Sequence, residues 1–550
     1  MKSRKLLACA FIIISACIAF VVCFTQFSSE TISNWDSLYI SDKDFSAFST
    51  SAGLQATPLT TEVYFNDEKL IYDSEDNTFY YSLIEDDKSA FTPLVEIPDS
   101  NIRLAVYGSA ISEESIAANT PLQLILLSGN NVSISNLICT TLPIMNVDIS
   151  EDIIVEGGYD DTYDILEDTP SSIYLYDNRA DFDGTTRSIT SDSKIRRRGQ
   201  TNAVNPAKSY RISLIEDKND LDSKKVKENL LGLREDDDWI LYSPYRDYEK
   251  VRNVFSMNLW YDSFAKENEW GVTNGTQYKF IELFINNHYH GLYGLCYPID
   301  KKQVDLKDGE TLFKKMDWTH SERNIELDYQ EYPDGSGGEY VLGGYSIKGG
   351  SEEDAYNDLL SLYVNLNYST EPAAVRLTSD VTNGIDLWLY YKLTQAVDNM
   401  ANGGVKNMYV TVKNSDSGIE GHKLLITPWD MDQSWRYVAE GVTSQYSNPA
   451  YDMPVEWGTV CSLQLLGDPT INQEIKDRYT YLRQGPWSTE AILASLDEYE
   501  KDIYGSGAFV RTQNRWPAGL YNDSSLGLSE FKDYVVKRFE CMDEYIEGLQ

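Results

Sequence analysis

Histidine is nearly missing from this chain, four in 550 residues, and cysteine is sparse, with seven. Three of the cysteines, Cys9, Cys17 and Cys23, fall within the first 24 residues, and Cys139, Cys296, Cys461 and Cys541 lie far apart. Structural zinc motifs need cysteine and histidine at short spacings, so none is encoded here. The four scattered cysteines are expected as small buried hydrophobic groups rather than as two disulfides. Positive charge is also in deficit: 47 Lys and Arg stand against 86 Asp and Glu, for a net charge of −39. The basic Lys2, Arg4 and Lys5 are the only charges before residue 25, so the remainder is more negative still. Phosphate backbones are repelled by such a field, which excludes non-specific nucleic-acid binding.

What is present begins with an apolar run over residues 6–24, preceded by that basic cluster and followed by a Ser/Thr/Asp-rich stretch. Its length at helical rise crosses a hydrocarbon core. The basic flank predicts a cytoplasmic N-terminus with the rest outside the membrane. A cleaved signal is the rival reading, and Ile14, Ser15, Ala16 and Cys17 resemble a lipoprotein cleavage site. Residues 18–24 stay apolar where a lipoprotein turns polar, which favours an uncleaved anchor.

With 42% hydrophobic and 12% aromatic residues, the chain can bury more than one core. Residues 62–65, 78–84, 102–107, 122–127 and 132–135 alternate apolar and polar between turn residues, which predicts a small β-sandwich. After Pro143 strands and helices mix. Helical spacing predicts a helix over 385–400, stopped by Asn402, Gly403 and Gly404. A hairpin of strands 405–412 and 423–427 follows, then helices over 472–483, 490–503 and 528–549. The fold class is therefore α+β. The expected organisation is an anchor over 1–27, a polar linker over 28–53, a β-rich accessory domain over 54–141 and a catalytic domain over 142–550.

The informative stretch is the helix exit and the hairpin. It carries Asp398 and Asn399, then Asn407 at the first strand, then Pro428, Trp429, Asp430, Met431 and Asp432 after the second. An acid, an Asn and an acid pair so spaced converge at one end of a hairpin. Phosphoryl transfer needs such a set: one carboxylate orients the attacking hydroxyl, while an Asn oxygen and a second carboxylate hold divalent ions. Protein kinases place the same residue types in the same order. Either Asp430 or Asp432 can face the metal, and Trp429 and Trp435 make this a poor solvated turn.

The blocks around these residues resemble the CotH family, spore-coat proteins counted among atypical kinases. Lys194 to Gly199 with Thr201, followed by Lys208, Tyr210 and Arg211, is similar to that family's Arg-Gly and Lys-x-Tyr-Arg segment. Further matches follow in order: Leu231 and Gly232 with Asp238, Trp239, Asp247, Arg252 and Asn253; Glu282 and Asn286 with Tyr289, Gly291 and Tyr293; Asp398 and Asn399 with Asn407; and Pro428 to Asp432. The late Arg515, Trp516, Lys537 and Arg538 fit as well. The likeness runs from about residue 142 to the end. It implies a divergent protein-kinase-like domain, ATP with Mg2+ or Mn2+, and Ser or Thr hydroxyls of a protein substrate. By this resemblance Asp398 is the catalytic acid/base, and Asn407 with Asp430 or Asp432 are the metal ligands. Lys208 or Arg198 would face the nucleotide phosphates.

One position departs: the family shows an acid where this chain has Tyr297, and Glu282 is the nearest substitute. The family also includes surface ligands, so a non-catalytic adhesion or assembly scaffold is the alternative function. A metal-dependent hydrolase is a third. Candidate substrates are Ser/Thr-rich surface or coat proteins and the chain's own stalk over 28–61. His288 and His290 share a strand face as metal ligands can, but the sequence offers no third ligand beside them, which favours ordinary packing.

Overall fold

Seven strands between Ile144 and Cys296 carry apolar residues at alternate positions, and that pattern closes on itself. The computed structural model describes residues 34–50, 55–56, 61–149, 165, 167–199, 205–316, 329–331, 340–342, 344–350, 355–401, 404–436, 447–517 and 527–550. The strands are β1 (Ile144–Ile149), β2 (Thr169–Tyr176), β3 (Ser188–Arg198), β4 (Ser209–Leu214), β5 (Asp238–Tyr242), β6 (Tyr278–Ile285) and β7 (His288–Cys296). They form a closed barrel in the order β1-β2-β3-β4-β5-β7-β6. Neighbours are antiparallel except at the closure, where β1 runs parallel to β6 with Ile144 beside Glu282. Val147, Ile195, Tyr210, Ile212, Trp239 and Leu283 fill the interior. Full burial of each such side chain contributes about 1.5–3 kcal/mol. The alternate positions face out, and Tyr242, Tyr278, Phe280 and Leu292 join a second, larger core.

That second core lies between the barrel and a sheet in which β8 (Thr311–Lys315) pairs with β9 (Tyr345–Gly350) and β10 (Met408–Ile419), and β10 pairs with β11 (His422–Pro428). Helix α1 (Arg252–Phe264) bridges the two bodies, with the Phe255 ring tilted against Trp435 and the Trp260 ring edge-on to Tyr390. Helix α2 (Val381–Thr394) backs the hairpin. It starts four residues before the expected position because Asp380 caps it, accepting the Asn383 N–H at 3.1 Å. The Asn383 side chain clamps Ile426 through both its backbone groups. The helix also ends early, at Thr394, where Gln395 turns left-handed at φ 51°. Asp398 consequently sits in the turn beyond the helix, and the first strand of the hairpin begins at Met408 rather than 405.

Before the barrel, residues 64–140 form two sheets over one core. The larger contains Ile71–Asp73, Thr78–Ser82, Arg103–Tyr107, Leu122–Ser128 and Asn131–Thr140, and the smaller is built around Tyr64–Phe65. Phe65, Phe79, Leu104, Leu124 and Leu137 pack between them. This is sandwich-like, but the larger sheet is mixed, because Thr78–Ser82 runs parallel to Asn131–Thr140. At the C-terminal end, α3 (Ala508–Arg515) lies on β7, and α4 (Ser529–Gly548) packs against α2.

The mixed α+β class agrees with the sequence. A closed barrel, which the strand patterning did not predict, opens the region for which a divergent protein-kinase-like domain was expected. The expected membrane anchor lies outside the described residues, and among the described residues no helix is long and apolar enough to cross a membrane. None of Cys139, Cys296, Cys461 and Cys541 takes part in a disulfide, and the first two are buried.

Candidate active site

The end of the β10–β11 hairpin is held open by one side chain. Asn399 Nδ2 donates to the backbone carbonyls of Asn407, at 3.0 Å, and of Trp429, at 2.7 Å, so a single amide ties both strand ends to the turn after α2. The Trp429 N–H also donates to the Asn407 carbonyl at 2.9 Å. Asn407 and Asp430 both adopt left-handed backbone, at φ 53° and 56°, a conformation that Asn and Asp tolerate better than most residues. Strain of this kind persists where neighbours over-determine it. Here the Met431 N–H donates to Asn253 Oδ1 of α1 at 2.8 Å, and the Trp435 N–H donates to the Thr394 carbonyl at 2.7 Å.

Three carboxylates meet in this frame. Asn407 Nδ2 donates to Asp398 Oδ2 at 3.0 Å, and Lys406 Nζ lies 2.8 Å from Asp398 Oδ1. Burial holds the Asp398 carboxyl above its usual range; Lys406 opposes this, and the charge of Asp430 adds to it. Asp432 is pushed well above the ordinary carboxylate range, first by burial, then by Asp430, Asp398 and Asp247. Beneath them the Tyr242 hydroxyl is held well up by burial and by the same two aspartates, Asp432 and Asp430. Lys406 is the one cation among the leading influences on Asp432.

Cations line the opposite side. The Arg198 guanidinium sits 5.6 Å from the centre of the Trp429 ring, and Lys314 Nζ lies 5.9 Å from the same ring and 5.5 Å from Tyr409. Carboxylates of the hairpin mouth and cations of β3 and β8 thus lie on either side of Trp429 in the chain's fold. An all-oxygen donor set of Asp430, Asp432 and the Asn407 amide suits a hard divalent ion such as Mg2+ or Mn2+. The excess negative charge at Asp432 is what such an ion would relieve.

The structure thus brings together Asp398, Asn407, Asp430 and Asp432, with Arg198 close by over Trp429. It places Lys208 elsewhere. Lys208 is buried, donates to the Asn205 carbonyl at 3.2 Å, and its charge acts on His290, inside the barrel end. The two side chains considered for the acid at Tyr297 are otherwise engaged. Tyr297 is buried in the barrel core with Arg234 4.4 Å from its ring centre, and Glu282 is fully buried, accepting from Thr140 at 2.6 Å and pairing with Arg511 of α3. Sequence reasoning missed Lys406 and Lys314, and it named Asn399 in the motif without its role as the tie between the two strand ends. Lys406 adjoins Asn407 in the motif, and only the left-handed turn shows that its ammonium reaches back to Asp398.

Asp247 and Arg252 form a buried pair, with the Arg252 N–H also donating to Asp247 Oδ2 at 2.6 Å and its Nε to the Trp435 carbonyl at 3.1 Å. They buttress the loop that carries Asp432, which explains their place among the motif blocks. No curated protein matches this chain. The family model described as CotH kinase protein matches residues 195–542, from the third barrel strand to the last helix. More than half of the chain is covered, and it carries Asp398, Asn407, Asp430 and Asp432 within the match: the protein belongs to the CotH family.

Proposed function

We propose that this protein is an atypical protein kinase acting outside the membrane, transferring the γ-phosphate of ATP to Ser or Thr hydroxyls in a Mg2+- or Mn2+-dependent reaction. The observation that carries the reading is the convergence of Asp398, Asn407, Asp430 and Asp432 at one hairpin mouth, inside a matched CotH region. Asp398 is the group to accept the hydroxyl proton. Its two oxygens are oriented by the Asn407 amide and the Lys406 ammonium. Its raised proton affinity brings it nearer to neutral working pH, where a general base is most effective. When bound, Mg-ATP supplies the electrophilic phosphoryl group and neutralises its charge. Asp430, Asp432 and Asn407 would hold the ion, and Arg198 and Lys314 offer charge to the phosphates from across the cleft.

The apolar segment over residues 6–24 with its basic flank supports a membrane anchor and an extracytoplasmic domain. The substrates this predicts are hydroxyl-rich surface or coat proteins, with the chain's own Ser/Thr-rich stalk in reach. A second reading, a non-catalytic adhesion or assembly scaffold, is favoured by one observation. Tyr297 and Glu282 leave no carboxylate at the position where the family places one.

Labelled-ATP transfer by the purified chain with Mg2+ or Mn2+ separates the two. Incorporation in the wild type that is lost in both Asp398→Ala and Asp432→Ala supports the kinase. Absence of both incorporation and nucleotide binding with either ion selects the scaffold.

A further inference from the structure

The sequence marks His288 as a metal-ligand type without companions, and the fold supplies them from 215 residues away. His288 opens β7 directly after a tight reversal in which Asn286 and Asn287 both take left-handed backbone, at φ 51° and 65°. The accessory domain brings a second hairpin to the same spot: Asp73 ends the strand Ile71–Asp73, and Glu75 lies in the turn that follows. His288 Nδ1 is 3.0 Å from Asp73 Oδ1 and 3.8 Å from Glu75 Oε2. One donor atom from each of the three residues lies within 4.8 Å of the others.

We infer that Asp73, Glu75 and His288 form a binding site for a first-row divalent cation of the zinc type at the seam between the accessory domain and the barrel. Zinc holds imidazole nitrogen and carboxylate oxygen at about 2.0–2.2 Å, which sets adjacent donors roughly 3 to 3.5 Å apart. The Asp73–His288 edge already has that length. The Glu75 edge is slightly longer, and its side chain, 52% exposed, is free to close it. Asp73 is preorganised: its second oxygen accepts the Tyr289 N–H at 2.8 Å, and the first also accepts the Glu75 N–H at 3.0 Å. A carboxylate buried at a domain seam needs a counter-charge. Among the described residues, no Lys or Arg pairs with Asp73 or Glu75, and their ion-pair partner is His288 alone.

Donor chemistry separates this site from the catalytic cleft. Imidazole selects zinc, iron, nickel or copper over Mg2+, Mn2+ and Ca2+, whereas the hairpin mouth offers only oxygen. His290 is not a fourth ligand. It is buried and held neutral, down to about 3, by burial and by the charges of Arg515 and Lys208, and its ring lies against Trp516. Binding requires the Nδ1 lone pair, so a proton resting on Nδ1 moves to Nε2 or leaves to solvent. Water completes the coordination from the exposed side. The bound ion would clasp the accessory domain to the barrel.

The test uses the full-length chain stripped with a chelator and titrated with Zn2+, followed by metal counting and thermal melts. One zinc per chain is expected in the wild type and equally in the Asp398→Ala/Asp432→Ala double variant, with a higher melting temperature in both. His288→Ala and Glu75→Gln should each weaken zinc binding by about tenfold or more and abolish the melting shift. Glu75 is exposed, so its variant reads the site without disturbing the fold. Three outcomes overturn the inference: no stoichiometric zinc in the wild type, zinc retained by both single variants, or zinc lost in the cleft double variant alone. A dead kinase that still shows a His288-dependent zinc would leave this inference standing on its own.

Discussion

Two acidic clusters occupy this protein, and their surroundings are opposite. Asp236, Asp237 and Asp238, consecutive at the start of β5, are all buried and each is met by cations. Arg234 and Lys302 pair with Asp236; Lys225 and Lys302 meet Asp237 at 2.6 and 2.8 Å; and Arg211 meets Asp238 at 2.9 Å. Burial pushes the Asp237 carboxyl up, but hydrogen bonds from Lys225 and Lys302 prevail and hold it at about 2. At the hairpin mouth Asp398, Asp430 and Asp432 share Lys406, and both Asp398 and Asp432 are pushed up instead. Three acids in a row, each met by cations, form a brace, whereas the acids of two separate turns, Asp398 on one and Asp430 with Asp432 on the other, form the candidate reactive site. Residue type does not distinguish them; the count of counter-charges does.

The sharpest break in that comparison comes from function. Asp398→Asn should lower phosphate transfer by about 10²- to 10⁴-fold, read as initial rates with labelled ATP, since it removes a proton acceptor while keeping shape. Asp236→Asn should leave the rate per folded molecule within a few-fold. Stability reverses the order. Asp236→Ala removes the buried carboxylate that pairs with Arg234 and Lys302 and accepts the Asp237 N–H, and should cost about 3 kcal/mol in urea unfolding. Asp432→Asn relieves like-charge repulsion and should gain about 1 kcal/mol, the usual trade between stability and an active site.

Metal sharpens the contrast further. Mn2+ at 100 times its dissociation constant should raise wild-type stability by about 2.7 kcal/mol in a thermal melt. Asp430→Asn/Asp432→Asn should lose that gain, and Asp237→Asn should keep it. The smallest effect is in pH. Asp237 has a folded proton affinity below its unfolded one, so the native state binds fewer protons between the two values. Its contribution is complete above about pH 4 and is lost as pH falls toward 2, roughly 2 kcal/mol in all. The Asp237→Asn variant should show a flatter acid limb in equilibrium unfolding, and an unchanged limb would remove the brace from the argument.

Periodicity reached the elements whose signal is local. The C-terminal helices lie close to their expected ranges, at Ile471–Arg483, Thr489–Glu500 and Ser529–Gly548, because each buries one apolar stripe. The hairpin acids were legible for the same reason, their spacing being set by one turn and two strands. Barrel closure was not. Ile144 meets Glu282 across 138 positions, and a pairing of that span leaves no local mark on either strand. Charge compensation was equally hidden. Lys208 and Arg198 carry the same promise in sequence, but Lys208 lies just before β4, tied back to the Asn205 carbonyl and near His290, whereas Arg198 ends β3 over Trp429. His288 looked solitary because its companions belong to another domain.

The pairing of Glu282 with Arg511 sets an order of events during synthesis. Glu282 lies on the outer wall of β6, and its cation is encoded 229 residues later, on α3. Thr140, at the end of the accessory domain, accepts no part of that charge and only donates to it. A chain emerging from its N-terminus can therefore lay down the barrel strands early, but their outer wall holds an unmatched carboxylate until α3 has been made. The first half of the protein waits on the last tenth to become dry.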